Sequence, residues 1–118
     1  MTDEDNSTTG SDDSALIKVS TTSDEREILE LIARELVRKK LVACAQISGL
    51  IDSTYTWQGM IESSPEWLLV AKSVQRQFEN IKTVIESMHN YEVPQVIAEP
   101  IILASEKYAN WVRDESSG

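Results

Sequence analysis

The sequence has little of what catalytic and metal sites are usually built from. Its 118 residues include one cysteine, one histidine, four glycines and three prolines. It contains no Cys-x-x-Cys, no Gly-x-Ser-x-Gly and no glycine-rich phosphate loop, and no nucleophile, base and orienting group can be combined from its residues. We therefore expect a protein that is not an enzyme.

The sequence also lacks the patterns of disulfides, membrane spans and targeting peptides. Cys44 has no second cysteine to pair with, which is typical of a reducing compartment. No apolar run approaches the roughly 20 residues of a membrane-spanning helix. Residues 1–13 contain no Lys or Arg, unlike a signal or transit peptide. We expect a cytoplasmic protein without membrane contact.

Positive charge is scarce, and the formal net charge is −9. Residues 1–13 hold five acids and no aliphatic residue after Met1, so we expect a disordered acidic tail there. Over residues 14–118, 11 basic and 15 acidic side chains remain, a balance of −4. Because phosphate binding needs a basic surface, this balance argues against a nucleic-acid partner. We expect one folded domain over residues 14–115.

Strand and helix patterns alternate along this domain. The predicted elements are a strand over 15–22, a helix from a capping box at 22–25 to about 40, extended segments over 41–57 and 60–73, a helix over 74–89, a strand over 96–103 and a short helix after Ser105. Gln58-Gly59 predicts the hairpin turn, and Gly49 predicts a bulge. The order β-α-β-β-α-β is typical of the ferredoxin-like α+β fold, an antiparallel sheet with both main helices on one face.

The second sheet face predicts an oligomer. In the extended segment over 60–73, Leu68 and Val70 alternate with apolar residues that point to the opposite face. Both faces of this predicted strand are therefore apolar. The chain offers no evident element to cover the second face. The hairpin strands are also long, and their edges can pair with another chain. We expect a homo-oligomer, although this pattern does not give the number of subunits.

Two residues are candidate metal ligands. Cys44 can act as a soft ligand or a redox thiol, but its apolar neighbours favour a small buried hydrophobe. His89, at the end of a predicted helix, can bind a transition metal through its imidazole or cap the last carbonyls. With no second histidine, a metal held there needs ligands such as Cys44, Glu92 or a residue of another subunit.

The hairpin carries further candidates. Lys72 ends a strand and can hold an anion, or it can be a solvated or ion-paired strand end. Glu66 lies six residues earlier on the same side of the strand. Tyr55, Trp57 and Trp67 can stack on a ligand, although large aromatics on a ribbon are more often packing or interface anchors.

Three motifs together resemble one family. They are Leu41-Val-Ala-Cys44-Ala-Gln-Ile47, then Tyr55-x-Trp57-x-Gly59-x-Ile61 with Glu66 and Lys72, and finally His89-x-Tyr91-x-x-Pro94. In order and spacing, the chain is similar over residues 15–113 to the CutA divalent-ion tolerance proteins.

The resemblance implies a ferredoxin-like subunit in a homotrimer, in the cytoplasm, with a role in tolerance to divalent metals and copper binding in some members. Ser20 and Met88 stand where some relatives carry copper ligands, so only His89 of that set remains. Trp57, Glu66, Lys72, His89 and Tyr91 are expected around a cleft between subunits, with Cys44 as the alternative soft ligand. The alternatives are a module resembling the PII signalling proteins, which binds a small anionic effector through Lys72, and a purely structural trimer.

Overall fold

The computed structural model of the chain describes residues 13–118. The predicted acidic tail, apart from Asp13, lies outside the described residues. The elements in chain order are β1 (Leu16–Ser23), α1 (Arg26–Arg38), β2 (Cys44–Trp57), β3 (Met60–Val74), α2 (Phe78–Met88), β4 (Ile97–Pro100) and α3 (Glu106–Glu115). None of the helices in this part of the chain is both long and apolar enough to cross a membrane.

The strands form one antiparallel sheet in the order β2-β3-β1-β4. Each main helix links two strands that are separated in the sheet by a third strand. This is the split β-α-β arrangement, so the predicted ferredoxin-like α+β fold is confirmed.

The main core lies between α1, α2 and one face of the sheet. Leu29, Ile32 and Leu36 are fully buried on α1, as their helical spacing predicts. Ile81, Val84 and Ile85 are buried on the facing side of α2. The prediction that this helix begins at Val74 is wrong. Val74 ends β3 instead, because a short 3₁₀ turn over Gln75–Gln77 separates the strand from α2.

The predicted capping box at the start of α1 is wrong. β1 continues through Ser23, so Thr22 pairs with Leu68 in the sheet and cannot cap the helix. Glu25 is the N-cap residue and makes no side-chain cap bond. The Ser23 hydroxyl instead accepts a hydrogen bond from the Glu25 N–H at 3.0 Å.

The second sheet face is partly covered by the chain itself, which the sequence pattern did not predict. Ala109 and Val112 of α3 pack on Leu16 and Val74 at one end of this face. Ser105 caps α3 as predicted, since its Oγ accepts from the Tyr108 N–H at 3.4 Å.

The rest of the second face is less apolar than β3 alone predicts. Val70 lies between Ser20 and Gln46, and Leu68 lies between Thr22 and Ser48. Cross-strand partners point to the same face, so polar residues flank both apolar ones.

The hairpin projects beyond the sheet. β1 pairs with residues 67–74 of β3, so residues 60–66 pair with β2 alone. The predicted turn is confirmed, with φ of 52° at Gln58 and 80° at Gly59. The predicted bulge is confirmed between Ser48 and Ile51. Glycine is required at position 49 because a Cβ there would lie 2.6 Å from Cδ1 of the Trp67 ring.

The C-terminal part differs from the prediction in two ways. The last strand covers Ile97–Pro100 instead of 96–103, because its ladder with β1 runs from Ser20 to Ile17 and ends after one further bond, from the Ile101 N–H to the Leu16 carbonyl. The predicted domain ends at residue 115, but residues 116–118 are also held to it by Gln77, whose Nε2 donates to the carbonyls of Ser116 and Gly118.

Candidate functional site

A cleft of about 690 Å³ lies where the projecting hairpin meets the segment after α2. The end of β1, one strand of the hairpin, Glu66 of β3 and the segment over residues 91–95 form its walls. Its lining residues are Thr22, Ser53, Thr54, Tyr55, Thr56, Trp57, Glu66, Tyr91, Glu92, Val93 and Gln95. None of them is Lys, Arg or His, so the charged groups of the cleft are two carboxylates.

Glu66 is the buried polar group of this cleft. Its residue is 6% exposed. Its Oε1 accepts a hydrogen bond from the Ser53 hydroxyl at 2.6 Å, and its Oε2 accepts one from the Tyr91 hydroxyl at 2.5 Å. Ser53 reaches Glu66 because the bulge in β2 places residues 51, 53, 55 and 57 on the same hairpin face as Glu66.

Tyr91 connects this carboxylate to the start of α1. Its hydroxyl also accepts from the Asp24 N–H at 2.9 Å. Burial, and then the Glu66 carboxylate, raise the pKa of Tyr91 well above its usual value. The hydroxyl therefore keeps its proton and remains a donor to Glu66.

His89 holds the backbone of Tyr91 in place by a hydrogen bond. Its Nδ1 accepts from the Tyr91 N–H at 3.0 Å, so Nε2 carries the proton and donates to the Thr22 carbonyl at 2.8 Å. Burial lowers the pKa of His89, outweighing the opposing effects of the Thr22 carbonyl and of the Glu66 and Asp24 carboxylates. Both nitrogens are thus used within the chain, and a metal at Nδ1 would displace the Tyr91 N–H.

Cys44 and Lys72 lie away from the cleft. They are cross-strand partners, and Lys72 is six residues from Glu66, or about 20 Å along β3. The Lys72 Nζ donates to Oε1 of Gln46 at 2.7 Å. The half-buried Cys44 has its Sγ 3.8 Å from the Tyr108 hydroxyl. The structure therefore brings together Trp57, Glu66 and Tyr91, with His89 behind them, and separates this group from Cys44 and Lys72. The functional roles of all these residues stay predictions.

Sequence reasoning missed several cleft residues. Ser53 shares a face with Tyr55 and Trp57, so two-residue periodicity could have found it. The Asp24 backbone and Thr22 have no such signal, because their place in the site depends on how β1 meets the segment after α2. Within residues 13–118, no three His, Cys, Asp or Glu side chains group closely enough to hold a metal ion.

A family model described as CutA1 divalent ion tolerance protein matches residues 17–115. The chain is 37% identical over 100 residues to the chloroplastic protein CutA of Arabidopsis thaliana, covering 85% of this chain and 55% of the relative. It is 33% identical over 95 residues to the divalent-cation tolerance protein CutA of Thermus thermophilus, covering 80% of this chain and 92% of the relative.

Solved structures of similar proteins share the fold. The CutA1 of a psychrotrophic Shewanella bacterium superposes with a TM-score of 0.84 at 35% identity, covering 88% of this chain and 97% of that one. The divalent cation tolerance protein of Thermus thermophilus gives a TM-score of 0.83 at 31% identity, covering 86% and 99% of the two chains. The likeness therefore extends over nearly all of both solved structures, whereas it covers about half the length of the Arabidopsis protein.

Proposed function

Because the chain belongs to the CutA1 divalent ion tolerance family, we propose that it supports tolerance to divalent cations, copper among them, by binding them without catalysing a reaction. The observation that carries this proposal is the charge of the cleft. Two carboxylates, of Glu66 and Glu92, line it, and no basic side chain does. A cavity with charges of one sign concentrates ions of the opposite sign.

The ligands for such a cation come from few residues. Glu66 offers carboxylate oxygens, which suit hard cations, whereas Cys44 and His89 are the softer groups that suit copper. Since no three candidate ligands group together within residues 13–118, we expect water or a second copy of the chain to complete the coordination.

We also propose that the protein works as a homotrimer in the cytoplasm. The projecting hairpin leaves one side of residues 60–66 unpaired, and Ile102 and Leu103, beyond the end of β4, are 84% and 86% exposed. An unpaired edge and exposed apolar side chains both favour association with another copy. Light scattering should give three times the 13.2 kDa chain mass; the mass of one chain would contradict this proposal.

A small anionic effector, as in the PII-like alternative, ranks second. Its expected partner Lys72 lies outside the cleft and is bonded to Gln46. The purely structural trimer remains as the outcome if neither ion binds.

Calorimetric titration of copper into the tag-free protein tests the proposed function. Glu66→Gln, His89→Ala and Cys44→Ala each remove one candidate ligand. Glu27→Gln, at an exposed position of α1, is the control for binding to the acidic surface. We expect stoichiometric binding that one ligand variant abolishes and the control preserves. Binding equal in all variants would mean nonspecific attraction and would refute the proposal.

A further inference from the structure

The cleft is much larger than a metal ion requires. Its volume of about 690 Å³ lies within the roughly 300–1,000 Å³ of pockets that hold small organic molecules. A bound metal ion would leave most of this space to water. The size therefore leaves room for a second class of ligand beyond the divalent cations of the proposed function.

The charge of the cleft calls for a cationic ligand. Both oxygens of the buried Glu66 carboxylate accept from neutral hydroxyls, those of Ser53 and Tyr91. Among residues 13–118, no Lys or Arg forms an ion pair with Glu66. A buried carboxylate without a positive partner is costly, and a cationic ligand removes part of that cost.

The walls of the cleft suit a cation that also has an apolar part. Tyr55 and Trp57 follow Ser53 along the hairpin face that carries Glu66, and they are 42% and 43% exposed. Aromatic faces attract ammonium groups and also cover hydrocarbon. Tyr55 lies four residues beyond Ile51, the strand partner of Glu66, or about 13 Å along β2. This length matches an extended aliphatic chain.

We propose that the cleft binds a small aliphatic diamine. One ammonium group donates hydrogen bonds to the Glu66 carboxylate, and the hydrocarbon chain lies along Tyr55 and Trp57. Glu92, exposed on the wall formed by the segment after α2, receives the second ammonium group. The lining that this chain supplies holds no basic side chain, which disfavours an anion.

The test titrates 1,8-diaminooctane, whose extended length is comparable with the distance from Ile51 to Tyr55 along β2, into the full protein by calorimetry, with a chelator present to remove divalent metals. Neutral 1,8-octanediol has a similar length and is the matched ligand. We expect the diamine to bind at least tenfold more tightly than the diol. Equal affinity for the two, or no binding of the diamine at millimolar concentration, would overturn the proposal.

Variants locate the site. Glu66→Gln should weaken diamine binding at least tenfold, and Trp57→Leu by about threefold to tenfold. Trp111→Leu is the control, because Trp111 is also 43% exposed but lies on α3. If Glu66→Gln does not fold, the diamine affinities of Glu92→Gln and Trp57→Leu test the location of the site instead. Unchanged affinity in both of these variants would overturn the proposal. Since metals are chelated, failure here leaves the proposed cation tolerance standing, and failure of the copper titration does not affect this result.

Discussion

Replacing Tyr91 by phenylalanine should destabilise the protein by about 2 kcal/mol. The substitution removes only the hydroxyl, which donates to Oε2 of the buried Glu66 and accepts from the Asp24 N–H. A hydrogen bond to a charged group contributes about 1.5–3 kcal/mol, and leaving a buried acceptor without its donor has a similar cost. The Asp24 N–H lies at an exposed position and can bond to water instead, so it adds little.

The matched control is Tyr108→Phe. The Tyr108 hydroxyl lies 3.8 Å from the Cys44 sulfur, which is a weak acceptor, and the residue is 40% exposed. We expect this variant to remain within about 0.5 kcal/mol of the parent. Both substitutions remove the same atom, so the difference between them reports the Glu66 contact.

Urea unfolding followed by circular dichroism measures both variants at one fixed protomer concentration, because association shifts apparent stability. A double-mutant cycle with Glu66→Gln isolates the pair, and we expect a coupling of about 1 kcal/mol or more. The reasoning would be refuted if Tyr91→Phe and Tyr108→Phe differed by less than about 0.5 kcal/mol, or if the cycle showed no coupling.

Two further predictions concern His89 and the core. The pKa of His89 is lowered by burial, so the unfolding free energy should be highest above the ordinary histidine pKa of about 6.5 and should fall as the pH drops below it. Since the chain has one histidine, His89→Gln should flatten urea midpoints measured from pH 8 to pH 5, and an unchanged slope would contradict the assignment. Leu29→Ala should cost about 2–5 kcal/mol in the same assay, because Leu29 is fully buried. Leu31→Ala, at a position 56% exposed on the same helix, should cost less than about 1 kcal/mol; equal losses would contradict the core assignment.

Most of the fold could be predicted because its signals are local. The spacing of Leu29, Ile32 and Leu36 determines which face of α1 is buried, whatever it packs against. Gln58-Gly59 defines the turn because its backbone requires positive φ. These patterns depend on a few neighbouring residues, so a single sequence contains them.

The errors fall where an element depends on distant partners. The last strand is short because β1 pairs with only four of its residues, which no pattern in residues 96–103 reveals. The second sheet face is partly covered because α3 folds back onto Leu16 and Val74. Likewise, Gln77 holds the residues from 116 onward through contacts that span about 40 positions.

The candidate site also has features that the sequence determines and features that depend on distant partners. By itself the sequence determined the residue types and, through two-residue periodicity, that Glu66 and Lys72 share a face of β3. Only the tertiary structure decided that Glu66 turns to Tyr91, 25 positions away, while Lys72 lies at the other end of the strand with Gln46. It also decided the state of His89, because Thr22 and the Tyr91 backbone occupy its two nitrogens. The physical reason is that periodicity specifies the direction of a side chain, whereas its hydrogen-bond partner depends on which distant segment the fold brings within about 3 Å.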